Sequence, residues 1–119
     1  MGDNVSGGGG GISQEEISSA TLTADGSEQN VLDTSGLGEY EGYVDLTNMT
    51  IGDAITIKEY IKLKTGGGWR QYSHNLYSDG QSEPAVHQVR KLSKHGVRIS
   101  LKQTAGVNRD YDYNFLKVG

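Results

Sequence analysis

The sequence predicts an all-β fold: an antiparallel β-sandwich, jelly-roll-like, of about eight strands, behind an extended N-terminal arm. Three observations carry that expectation. From Ala20 onward, apolar and polar residues alternate with a period of two. Turn-forming clusters interrupt this alternation every ~8–12 residues, the spacing of sandwiches and jelly rolls. No stretch repeats its apolar residues at helical spacing, and no internal repeat recurs at a fixed period.

The expected domains are an arm over residues 1–19 and a sandwich over residues 20–119. The arm holds the glycine run Gly7, Gly8, Gly9, Gly10 and Gly11, which offers almost nothing to bury and predicts a flexible segment when free. Either it is a linker, or it orders against a neighbouring subunit. Ser13 and Glu16 have the spacing of a capping box, but only Ile17 follows as a suitable apolar residue, so one helical turn is the most expected.

The strands follow in order. Thr21–Thr23 is short and closed by Asp25-Gly26; Glu28–Leu32 is closed by Asp33 to Gly36. In Glu39–Leu46, Tyr40, Gly42, Val44 and Leu46 share one face. The longest strand, Asp53–Lys64, sets Ile55, Ile57, Ile61 and Leu63 against Thr56, Lys58, Tyr60, Lys62 and Lys64, a half-buried pattern. Glu59 interrupts the apolar row, so that row either opens to water there or holds a buried partner. Gly66-Gly67-Gly68 reverses the chain into Trp69–Tyr77. After a loop ending at Pro84 come Ala85–Leu92, Val97–Gln103 and Asn108–Val118, the last with Tyr111, Tyr113 and Phe115 on one face.

Composition narrows the function classes. Hydrophobic residues make up 34% of the chain, against ~45–50% on a scale that also counts glycine. The core is therefore thin, or completed by other chains. A net charge of −4 argues against non-specific binding to nucleic acid or an anionic membrane. The absence of cysteine excludes disulfides and thiolate metal sites and fits a reducing compartment. The N-terminus has neither the basic nor the apolar region of a secretory signal, and no apolar run approaches the ~20 residues of a membrane span.

Chemistry-bearing motifs are missing. There is no phosphate-binding loop, dinucleotide fingerprint, nucleophile elbow or paired-histidine metalloprotease motif, so no enzyme, cofactor or metal is expected. His74 and His87 lie on neighbouring strands and, with Glu59 or Glu83, would form the nearest approach to a zinc or iron site, as in a small barrel enzyme. Asp110 and Asp112 share a strand face about 7 Å apart, which suits either calcium with a third donor or a solvated surface. Tyrosines are plentiful, seven against one phenylalanine, and a residue with an apolar body and polar tip serves interfaces. Tyr43 and Tyr60 fall opposite the expected core, and Tyr72 is a candidate for the same.

The stretch Tyr40-Glu41-Gly42-Tyr43-Val44-Asp45-Leu46, then Asn48 to Asp53, then the long strand running into Gly66-Gly67-Gly68, resembles small β-sandwich virion proteins. These are the capsid decoration and minor capsid proteins of tailed phages and related viruses. The likeness covers roughly residues 20–119. It implies a non-enzymatic virion subunit, assembled in the host cytoplasm, that contacts copies of itself, a major capsid protein, or both. Nucleic acid and membrane are not expected partners. The interface residues would be Gly7 to Gly11, Ile12, Ile17, Tyr43, Tyr60, Trp69 and Tyr72. The competing expectation is a carbohydrate-binding or adhesive module with Trp69, Tyr72 and Tyr43 as one stacking platform.

Overall fold

A computed structural model describes residues 14–81 and 85–118. It contains eight strands: β1 Gln14–Thr23, β2 Gln29–Asp33, β3 Gly38–Asp45, β4 Ala54–Lys62, β5 Trp69–Ser78, β6 Val86–Ser93, β7 Val97–Ala105 and β8 Asp110–Val118. They form two four-stranded sheets, in the orders β1-β8-β3-β6 and β2-β7-β4-β5. All pairs are antiparallel. Only β4 and β5 are joined as a hairpin within one sheet; every other connection crosses to the opposite sheet. This is the double-sheet order of a jelly roll.

The alternation read from sequence explains the core. Tyr40, Val44 and Leu46 face inward from β3 and its end, Ile55 and Ile57 from β4, Val97, Ile99 and Leu101 from β7, and Tyr111 and Phe115 from β8. Each is almost fully removed from water, and burying one such side chain stabilises by roughly 1.5–3 kcal/mol. Gly42 lies opposite Phe115 in the β3–β8 pair. A Cβ there would collide with the Phe115 ring and the Asn114 carbonyl, so glycine lets the aromatic ring lie against bare backbone.

β1 departs from expectation. It begins at Gln14 instead of Thr21, and residues 14–19, expected in the arm, pair with β8 from Gln14↔Val118 onward. No helical turn forms at Glu15–Glu16. One turn closes few hydrogen bonds and lacks an apolar face to dock, whereas the strand joins a full ladder. A bulge between Glu16 and Ser18 turns Ile17 onto the core, and the Ser18 hydroxyl donates to the Val31 carbonyl at 2.8 Å. The apolar row of β4 stops early: Ile61 is half-buried, and Leu63, 69% exposed, already lies in the turn to β5.

The loops after β1, β3, β5 and β7 gather at one end of the sandwich. Those after β2, β4 and β6 gather at the other, where β1 begins and β8 finishes. The first end is fastened by Asp53, whose carboxylate accepts from the Thr50 and Val107 amides and from Arg109 Nε at 2.8 Å. These bonds, led by the Thr50 amide and joined by the Arg109 guanidinium, hold the Asp53 carboxyl below its ordinary value of 3.8. Beside it, Gln103 Oε1 accepts from the Arg109 amide and the buried Tyr111 hydroxyl. Burial first, and the Asp53 charge second, push the Tyr111 hydroxyl up to about 12.

Candidate functional site

Two features stand out from the packed core: a buried polar cluster, and two outer sheet faces of opposite charge. The cluster centres on Glu59, which lies 7% exposed in the inner row of β4. Its Oε2 is 2.8 Å from His87 Nε2, and its Oε1 accepts from the Tyr72 hydroxyl at 2.9 Å. His87 Nδ1 lies 2.6 Å from the Tyr77 hydroxyl. The imidazole thus bridges the Glu59 carboxyl and the Tyr77 hydroxyl, one ring nitrogen to each. Tyr72 reaches Glu59 because β5 carries a bulge there: Gln71 pairs with Tyr60 and Ser73 with Glu59, leaving Tyr72 as the extra residue. Its ring closes the edge of the sandwich, with Lys91 Nζ 4.5 Å above its centre.

Hydroxyl, imidazole and carboxylate in series have the order of a catalytic triad. Burial first, and the Glu59 charge second, raise the Tyr77 hydroxyl above its ordinary value, and the carboxylate and imidazole of the series are buried rather than set in an open cleft. Tyr72 is raised further by the same causes. Both tyrosines are therefore neutral donors, and the cluster is a polar plug between the sheets.

Of the residues weighed for a metal, the structure brings together Glu59 and His87 and leaves His74 out. His74 pairs with Lys58 on the outer side of its sheet and is exposed there. Glu83 lies outside the described residues. Among the described residues, no group of three or more histidines and acids could hold a metal ion. Asp110 and Asp112 do point outward together, and each accepts from a cross-strand threonine, Thr23 and Thr21 respectively.

The outer face of the first sheet is acidic. Glu16 (β1), Glu39, Glu41 and Asp45 (β3), and Asp110 and Asp112 (β8) lie on it, against the single guanidinium of Arg90 (β6), which donates to Glu39 at 2.9 Å. A shallow groove crosses this face past Thr21, Tyr43, Asp45, Val86 and Asp112.

The outer face of the second sheet is basic. Lys58 and Lys62 on β4 stand beside Lys102 and Arg98 on β7. The Trp69 ring has Lys62 Nζ 4.8 Å and Arg98 Cζ 4.5 Å from its centre, two cation–π contacts on this face. Two carboxylates oppose them: Asp33, 3.1 Å from Arg98, and Glu28, which accepts from the Ser100 and Tyr60 hydroxyls. Those two hydroxyls, Ser100 first, keep the Glu28 carboxyl below its ordinary value.

The residues expected at an interface therefore separate. Tyr43, 46% exposed, stands on the acidic face. Tyr60 and Trp69 stand on the basic face, partly covered by their neighbours. Tyr72, 36% exposed at the edge, bonds Glu59 through its hydroxyl, and Ile17 packs on its own core. Gly7 to Gly11 and Ile12 lie outside the described residues. Tyr43, Trp69 and Tyr72 occupy three different surfaces and form no common stacking platform. Sequence reading placed Lys58, Lys62 and Lys64 outward but missed the charge difference between the faces. The signal was there, in Glu39-x-Glu41 and Asp110-x-Asp112 against Lys58-x-x-x-Lys62 and Arg98-x-x-x-Lys102, but it needs the strand order to be seen.

No protein-family model matches the chain, and no curated protein matches it. Among solved structures, the chain is similar to the VP2 subviral particle of infectious bursal disease virus, with a TM-score of 0.52 and 10% identity over 90% of this chain. It is also similar to the viral particle of the same virus, with a TM-score of 0.51 and 9% identity over 90% of this chain. The chain spans 31% and 30% of those two chains, about a third of their length. At that identity the likeness is one of fold.

Proposed function

We propose that the chain is a non-enzymatic structural subunit of a virion, assembling with copies of itself, with a major capsid protein, or with both. The observation that carries this reading is the jelly roll itself: its match to structures taken from viral particles extends over 90% of the chain. Three further features support it. The hydroxyl–imidazole–carboxylate series of Tyr77, His87 and Glu59 has its imidazole and carboxylate buried, with Tyr72 donating to the same carboxylate. Both sheets present broad polar faces. The glycine-rich residues 1–13 lead into β1 at the end of the sandwich where β8 also finishes.

In this reading the sandwich decorates or reinforces a shell, and residues 1–13 gain order against a neighbouring subunit. Such ordering costs conformational entropy, which the contacts must exceed. The carbohydrate-binding alternative loses its support, since its three aromatic residues do not share a face.

Light scattering coupled to size-exclusion chromatography, with electron microscopy of the same fractions, tests the proposal. The full chain is expected to form oligomers or particles. A chain lacking residues 1–13 is expected to keep its sandwich and assemble more weakly. Unchanged assembly after truncation removes the arm from the proposal.

A further inference from the structure

The two broad surfaces of the sandwich are complementary to each other. Six carboxylates (Glu16, Glu39, Glu41, Asp45, Asp110 and Asp112) stand against Arg90 on one. Lys58, Lys62, Arg98 and Lys102 outnumber Glu28 and Asp33 on the other. The charges lie in comparable rows, because both sheets have four strands and every second residue points outward. A chain with an overall charge of −4 thus carries its positive surplus on one side of a two-layer fold. Two identical acidic faces repel, as do two identical basic faces. Unlike faces attract, and contact relieves the repulsion among like charges within each face, against the cost of desolvating them.

We propose that copies of this chain associate front to back, the acidic face of the first sheet of one copy lying on the basic face of the second sheet of the next. This deepens the assembly reading and rests on it. The contact is heterologous, so each copy uses two different surfaces and repetition gives a ring or an open stack. Tyr43 and Val86, exposed on the acidic face, supply apolar contact. The area is modest. Four strands ~4.8 Å apart and about nine residues long at ~3.4 Å each span roughly 500 Å². Two such faces bury roughly 1,000 Å² in all, at the lower end of specific interfaces. A single contact is therefore weak and salt-sensitive, and it gains strength only through repetition.

Charge reversal on one face at a time tests the proposal. One full-length variant carries Glu41→Lys and Asp112→Lys, which leaves its basic face intact. The other carries Lys58→Glu and Lys102→Glu, which leaves its acidic face intact. Circular dichroism and thermal midpoints check that both keep the fold. Sedimentation velocity is then run up to about millimolar concentration, at about 0.05 M and about 1 M salt.

The wild type is expected to associate at low salt and dissociate at high salt. Each variant alone is expected to sediment as one chain, and the two mixed are expected to form a two-chain species and nothing larger. Wild-type oligomers that survive in both variants overturn the front-to-back contact and leave the assembly reading standing. Variants that pair with copies of themselves, or a mixture that does not pair, overturn it as well. A wild type of one-chain mass at every salt and concentration overturns the front-to-back contact and leaves assembly on a major capsid protein as the form of the reading that stands.

Discussion

Glu59 shows how a single position is read. Along β4 it breaks a row of isoleucines, and sequence alone left two outcomes: an opening to water or a buried partner. The partner is His87, two strands further along the chain and on the opposite sheet. Nothing local to either residue announces that pairing, because it depends on β6 lying over β4. The energetic consequence is local all the same. Glu59→Ala removes the partner of the buried His87 Nε2 and of the Tyr72 hydroxyl, and breaking such a buried pair costs about 2–4 kcal/mol. Glu59→Gln, which keeps one carbonyl acceptor, is expected to lose about 1–2 kcal/mol. Urea unfolding of the two variants against wild type checks both the size and the order. Equal stability of Glu59→Ala and wild type would show the cluster to be energetically idle.

Among the elements, β1 and the loop-fastening Asp53 carry distinct expectations. Seven of the eight strands were legible within a few residues, because their inner faces are regular and their turns are marked by glycine, aspartate or serine. The start of β1 was not. Gln14–Ser19 is polar outside Ile17, and what makes it a strand is the ladder offered by β8, the most distant element in sequence. Deleting residues 1–13 is expected to leave the unfolding midpoint unchanged. Deleting residues 1–19 removes half of that ladder, the packing of Ile17 and the Ser18–Val31 bond, and is expected to lower the midpoint by on the order of 10 °C in a thermal melt. Equal midpoints would return residues 14–19 to the arm.

The loops after β3 and β7 meet through Asp53, whose carboxyl is held below 3.8. A depressed carboxyl contributes stability that is present above its unfolded value and is lost as pH falls through its folded value. Asp53→Asn is therefore expected to be less stable near neutrality and to show a flatter decline below about pH 4 in urea midpoints measured across pH. A steep acid limb that survives the substitution would assign that decline to other carboxyls.

For the molecule as a whole, fold class was legible and strand order was not. Period-two alternation, turn spacing and the absence of helical patterning are properties of each segment, and they identify a sandwich. The order β1-β8-β3-β6 over β2-β7-β4-β5 is a property of segments taken together, and no local pattern distinguishes it from an immunoglobulin-like arrangement. The same limit applies to the surfaces. Each strand discloses its own charges, but only the assembled sheets divide them into an acidic side and a basic side. The start of β1 and the finish of β8 carry one more implication. Gln14 and Val118 are directly opposite each other in the β1–β8 ladder, so their Cα atoms stand only about 5 Å apart. Polypeptide entering at one and leaving at the other passes through a single gateway. The sandwich can thus be spliced into a surface turn of a larger protein, as a self-contained knob whose host need open by no more than the gap between two neighbouring strands.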